Sequence, residues 1–276
     1  MDDEAKFELV LDELRRLLLG FASIGLDVVL IGGQVIAVWN KANTGSGRIH
    51  IAGETGVNVE RGYSMEPDLL VELPEAETDR QHEDLLSDVM KQHGFTRGQP
   101  DTRWFKVTPL LTMQVDLFAP EDTPSKGRTT PMTSLPRAYA ATTCCERLVV
   151  RLPENKVLEV RLPDALGFLS LKAYASLRLR SKPKDAFDAF VYVAQVGLQQ
   201  VAQSFAKRPP LGRQVLSELR QLFETVESAG VKDVVAEANL FDTEADALLA
   251  RQVVDMFQEL DKRVRQLVDP GAEFDA

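Results

Sequence analysis

The sequence predicts an α+β protein, with strands and helices interleaved over about residues 1–160 and a helical domain over about 161–276. Three observations carry that expectation. Short apolar runs bounded by turn residues alternate with helical periodicity in the first part. Two pairs of β-type runs are each joined by a proline-bearing turn, at Pro109 and at Pro153-Glu154-Asn155. From Pro163 onward the apolar spacing is helical to the end.

The elements follow in order. Residues 4–20 place Phe7, Val10, Leu11, Leu14, Leu17 and Leu18 on one side of a helix, and Gly20 ends it. Val28-Val29-Leu30-Ile31 reads as a buried strand, and Gly32-Gly33 turns the chain into a second helix over about 34–40. Residues 41–62 hold five glycines and few large apolar side chains, so they read as a long connection. A strand is expected over about 67–73, because Pro67 holds Glu66 extended and suits a strand's first residue. Residues 78–93 read as a helix closed by Gly94. A hairpin follows over 103–107 and 111–118, then a proline-bearing loop over 119–138, then a second hairpin over 146–152 and 156–161. Helices are expected over 163–179, 183–197, 212–229 and 243–268.

Composition narrows the function classes. With 32 basic and 42 acidic residues the chain carries −10, which argues against broad nucleic-acid binding but leaves room for a local basic groove. The densest basic stretch holds Lys172, Arg178, Arg180, Lys182 and Lys184. No apolar stretch spans a bilayer, so no membrane partner is expected. The acidic start lacks a secretory pattern, and a cytoplasmic location is expected. Cys144 and Cys145 are adjacent, which disfavours an ordinary disulfide, and they read as a buried pair of small apolar residues. The three histidines show no metal-ligand spacing.

The chemistry lies in the acids. Glu66 and Asp68 are two apart, so in an extended chain they present two carboxylates on one face. Asp116 interrupts the apolar run Val115-Asp116-Leu117-Phe118, where a charge needs a partner or a cation. Three carboxylates brought together repel one another unless a hard cation sits between them, which makes Mg²⁺ or Mn²⁺ the natural partner. Gly32 and Gly33 would let phosphate approach a helix N-terminus. Lys172, or a nearby arginine, would carry charge on a departing pyrophosphate. Each feature also has a plainer reading: a tight turn, a solvated strand edge, or a surface lysine whose stem covers apolar neighbours. Asp185 and Asp188 would equally well favour the N-terminal dipole of their helix.

The stretches Val29-Leu30-Ile31-Gly32-Gly33-Gln34, Ser64-Met65-Glu66-Pro67-Asp68-Leu69-Leu70 and Val115-Asp116-Leu117-Phe118 resemble the opening motifs of the AbiEii-type nucleotidyltransferases, within the DNA-polymerase-β-like superfamily. Leu171-Lys172-Ala173-Tyr174-Ala175 and Lys184-Asp185-Ala186-Phe187-Asp188 resemble that family's lysine and Lys-Asp-x-x-Asp motifs. The likeness spans about residues 26–195. It implies a minimal nucleotidyltransferase-like mixed sheet flanked by helices, followed by a helical C-terminal domain. It also implies an NTP substrate with Mg²⁺, an acceptor hydroxyl on RNA (tRNA among them) or protein, and a toxin partnered by a cognate antitoxin. By motif, Glu66, Asp68 and Asp116 take the metal positions and Gly32 and Gly33 contact triphosphate. Lys172 touches phosphate, and Asp185 orients it or the nucleophile. Glu66 stands where the family has Asp, and the segment before it is glycine-rich, with Arg61 and Ser64 as imperfect counterparts. These departures leave open a second reading, a nucleotide-binding or protein-interaction module of the same fold without turnover.

Overall fold

The computed structural model describes residues 1–52, 57–72, 79–121, 130–179 and 182–268. The chain divides into two compact units, one of Met1–Arg48 with Gly62–Pro163 and one of Ile49–Arg61 with Asp164–Ala276. A single cut at about 160 therefore misses that residues 49–61 belong with the helical unit.

The first unit is built on a mixed sheet. Helix α1 (Asp3–Ser23) starts where the Asp2 carboxylate accepts from the Ala5 N–H at 2.8 Å, with Asp3 and Glu4 in its first turn. Its buried face is Phe7, Val10, Leu11, Leu14, Leu17 and Phe21, and each such side chain contributes about 1.5–3 kcal/mol by leaving water. Strand β1 (Asp27–Ile31) is buried from Val28 on. Helix α2 (Gln34–Thr44) runs four residues past the expected end and stops at Gly45, whose φ is +86°.

Strand β4 (Asp68–Glu72) is buried at Leu69, Leu70 and Val71; residue 73 lies outside the described residues. Helix α3 is Asp79–Gln92, and Gly94 follows with φ +80°. His93 lies just past it and is half-buried. The expected first hairpin is present: β6 (Arg103–Val107) pairs antiparallel with β7 (Thr112–Pro120), and the two-residue β5 (Thr96–Arg97) pairs with β6. Along β7, buried Met113, Val115, Leu117 and Ala119 alternate with less buried Gln114, Asp116 and Phe118.

The stretch 119–138 is not all loop. It contains the end of β7, a short strand β8 (Thr133–Leu135) parallel to β7, and the first residue of α4 (Ala138–Thr143); residues 122–129 lie outside the described residues. The second hairpin, β9 (Cys145–Arg151) with β10 (Val157–Pro163), forms as expected. Neighbours across the sheet run β5, β6, β7, β4, β1, β10, β9. The β1–β4 pair is antiparallel, while β1–β10 and β4–β7 are parallel. Cys144 is buried, but Cys145 is half-buried and polar in its contacts: its thiol donates to the Thr142 carbonyl and accepts from Arg161, both at 3.0 Å.

The second unit contains the hairpin β2 (Ile49–Ala52) with β3 (Asn58–Arg61), where a featureless connection was expected. Its residues alternate buried and exposed, and β2 packs on α6 (Pro183–Val196). Residues 53–56 lie outside the described residues. The other helices are α5 (Ala165–Tyr174), α7 (Leu198–Ala206), α8 (Pro209–Phe223), α9 (Ala229–Ala238) and α10 (Thr243–Val268). Helix α5 begins with the Asp164 carboxylate accepting from Gly167 N–H and widens into a π-type turn over Ala175–Leu179. Helix α7 was not expected; Gly197, with φ +90°, separates it from α6. Arg180 and Ser181 lie outside the described residues, so the basic stretch is described only in part. Among the described residues no helix is long and apolar enough to cross a membrane.

Candidate functional site

Strand register assembles one row of side chains across four adjacent strands. Arg103 at the start of β6 lies opposite Asp116 of β7. Asp116 is the register partner of Asp68 at the start of β4. Asp68 in turn lies opposite Ile31, the last residue of β1, which leads into Gly32-Gly33. The row therefore reads cation, carboxylate, carboxylate, glycine turn.

At the glycine end the fit is close. Gly32 has φ +73°, and a Cβ built there would stand 2.0 Å from Asp68 Oδ2. Only glycine meets both conditions, because other residues are strained at that φ and would strike the carboxylate. The N-cap of α2 is Gly33, which has no side chain of its own to cap the helix. Gln34, fully buried, donates through Nε2 to the Ser64 carbonyl at 3.2 Å and ties the turn to the segment before β4. Its Oε1 has no hydrogen-bond partner among the described residues.

At the other end Arg103 forks onto Asp116, Nε to Oδ1 at 2.8 Å and Nη2 to Oδ2 at 3.0 Å. Gln114 Nε2 also approaches Asp116 Oδ2, at 3.4 Å. The hydrogen bonds to Asp116 raise the Arg103 guanidinium above its ordinary value; partial burial opposes this, and the charges of Asp116, Glu66 and Asp68 add to the rise. One cation thus feels all three acids singled out in the sequence.

Those acids do not form a ready-made three-ligand cage. Among the described residues no group of three His, Cys, Asp or Glu side chains is placed to hold a metal ion. Parallel register sets only Asp68 beside Asp116, while Glu66 lies before the strand and is exposed. Two carboxylates still match Mg²⁺, which commonly takes one or two from protein and the rest from water and phosphate. The Arg103 guanidinium already occupies both oxygens of Asp116.

Lys172 and Asp185 belong to a different cluster, inside the second unit. Lys172 Nζ donates to Asp185 Oδ1 at 2.9 Å and to Asp188 Oδ2 at 2.6 Å, and Arg61 Nε donates to Asp188 Oδ1 at 2.8 Å. The elements explain the meeting. Arg61 ends β3, Lys172 lies in the last turn of α5, and Asp185 and Asp188 are three apart on one face of α6. Lys172 is not a surface lysine: its side chain is 8% exposed, and those of Asp185 and Asp188 are 3% and 0%.

Each of these buried charges faces an opposite one, the condition under which buried charge is tolerated. Burial alone would lower the Lys172 ammonium, but Asp188 and Asp185 outweigh it and hold it above the ordinary value. Burial likewise pushes the Asp188 carboxyl up, and Lys172 and Arg61 outweigh that and hold it below the ordinary value.

Sequence reasoning missed Arg103 altogether and gave Asp188 only a dipole role. The hairpin held the signal for the first. Once Val107 faces Thr112 across the turn, counting back places Arg103 opposite Asp116.

No family model and no curated protein matches the chain. Among solved structures it is similar to an antigenic nucleotidyltransferase-like protein from Paracoccidioides brasiliensis, with a TM-score of 0.43 and 12% identity, over 79% of this chain and 91% of that chain. That likeness is too loose to decide fold or chemistry.

Proposed function

We propose that the protein is a Mg²⁺-dependent nucleotidyltransferase that moves a nucleotide from an NTP onto a hydroxyl of RNA, tRNA among them, or of protein. A toxin held by a cognate antitoxin is the biological setting that fits the motif resemblance. The observation that carries the reading is the register row, in which Asp68 and Asp116 stand side by side with the Gly32 turn pressed against Asp68.

Asp68 and Asp116 would hold the divalent ion, with water and phosphate oxygens completing its shell. Such an ion neutralises triphosphate charge and lowers the pKa of an attacking hydroxyl. Gly32 and Gly33 keep the entrance to α2 free of Cβ atoms, so triphosphate oxygens can approach the backbone N–H groups of its first turn. Gln34 fixes that turn by its bond to Ser64, and Glu66 adds negative charge at the rim of the row. Lys172 and Asp185 act as positioning residues, since their charged groups are buried against one another and lock α5 to α6.

Incubating the full chain with α-labelled NTPs, Mg²⁺, total tRNA and protein acceptors tests the reading. Label is expected on one acceptor class, with a loss in Asp116→Ala of about a hundredfold or more, beyond the roughly 10–100-fold typical of residues that only orient metal ligands. No transfer from any NTP, with Asp116→Ala behaving as the native chain, removes the enzyme. A non-catalytic nucleotide-binding module is favoured by two observations, the Arg103 fork on Asp116 and a glutamate at position 66. NTP binding in calorimetry without transfer would select it.

A further inference from the structure

The Arg103 fork has a consequence for how the site takes up its ion, and that consequence rests on the nucleotidyltransferase reading. A fork across a carboxylate uses both oxygens, the same atoms a divalent ion would need. A guanidinium beside a bound divalent ion also places like charges together in a partly desolvated spot. Both conditions meet at Asp116, whose side chain is 17% exposed. We infer that Arg103 is a stand-in cation: it holds Asp116 when no metal is bound, and it must leave before an ion is seated between Asp68 and Asp116.

The geometry allows the exchange. The Arg103 side chain is 34% exposed, so a solvent-facing position is open to it without breaking the core. Trp104, the next residue in β6, is buried and anchors the strand while its neighbour moves. The Arg103 charge also acts on both register-paired carboxylates, Asp68 and Asp116, and so opposes their mutual repulsion. The apparent affinity for metal is then the intrinsic affinity reduced by the fraction of molecules in which Arg103 has left.

Mn²⁺ binding to the full chain, followed by electron paramagnetic resonance with and without ATP, tests this. Arg103→Gln is expected to bind Mn²⁺ about three- to sixfold more tightly than the native chain, as the competing fork is lost. Arg103→Lys, which keeps the charge but loses the fork, should fall between them. Asp116→Asn should cancel the gain in both backgrounds.

Equal or weaker binding by Arg103→Gln, with native binding still lost in Asp116→Asn, overturns the exchange and leaves the nucleotidyltransferase site standing. A gain that survives Asp116→Asn places the ion elsewhere and also overturns it. Absence of Mn²⁺ binding in every variant, with far-UV circular dichroism unchanged, removes both the exchange and the metal-dependent reaction. Should Arg103→Gln fail to fold, Arg103→Lys carries the comparison alone: no gain over the native chain sinks the exchange.

Discussion

The protein holds two groups of opposed charges, and they are built for opposite ends. In the second unit Arg61, Lys172, Asp185 and Asp188 are all buried and joined by ion pairs from three elements. In the first unit Arg103, Asp116 and Asp68 form a line that is partly open to solvent, with Glu66 nearby. Burial makes the first group part of the scaffold. Access to solvent leaves the second open to an incoming cation, which is what a cation-dependent site requires. Residue type alone would not separate them, because both pair a basic side chain with two aspartates.

The comparison fails soonest if Asp188 proves dispensable. Asp188→Ala leaves Lys172 and Arg61 buried with one described carboxylate fewer, a change expected to cost about 3–5 kcal/mol in urea unfolding. The same pair of shifts sets a pH signature. Asp188 is held below the ordinary carboxylate value of 3.8, so its contribution is complete above that value and is lost as pH falls through the lower folded value. Lys172 is held above the ordinary 10.5, so its contribution is complete below that value and is lost as pH rises through the higher folded one. Lowering the pH from 5 to 2.5 should therefore reduce stability in the native chain, and much of that slope should be lost in Asp188→Asn. An unchanged slope would mean that Asp188 is not carrying the acid limb.

An intermediate effect is expected at the glycine turn. Gly32→Ala must accept φ +73° and displace the Asp68 carboxylate, at about 1–3 kcal/mol. Gly45 supplies the control, since it has φ +86° and nothing within 4 Å of a built Cβ. Gly45→Ala bears the backbone strain alone. The excess of Gly32→Ala over Gly45→Ala measures the contact with Asp68, and adding Asp68→Ala should remove that excess in a double-mutant cycle. Equal costs at the two glycines would show that the turn and the carboxylate are independent.

Much of this organisation is legible in the residues, and the part that is not has a common cause. The hairpins of 103–120 and 145–163 announce themselves through local turns and alternation, and Asp116 through the charge it puts into an apolar run. Local signals suffice there. The β2–β3 hairpin is four residues a side and glycine-flanked, and it is packed on α6, more than a hundred residues further on. Nothing nearby in sequence marks it. Lys172 fails for the same reason: a lysine among Leu169, Ala173 and Leu177 looks like a surface stem until Asp185 and Asp188 arrive from the next helix. The acids of the row are readable one by one, but their pairing depends on strand order, which puts β4 between β1 and β7. Three acids close in chemical kind do not become three ligands unless register places them so, and it does so for two.

The smallest expected effect is also the sharpest. Arg103→Gln should cost only about 0.5–1 kcal/mol without metal, since an ion pair with a third of one partner exposed is weakened by solvent and by the entropy of holding a long side chain. The cost should shrink further between 0.1 and 1 M salt, where the screening length drops from about 10 to about 3 Å. The Asp188→Ala penalty should not respond to salt, because no ion reaches a side chain that is 0% exposed. Denaturation of both variants at the two salt concentrations separates the cases. A penalty for Arg103→Gln as large and as salt-independent as that for Asp188→Ala would make the fork a structural bond. A bond of that strength could not be given up to an incoming ion, and the row would then be a second piece of scaffold.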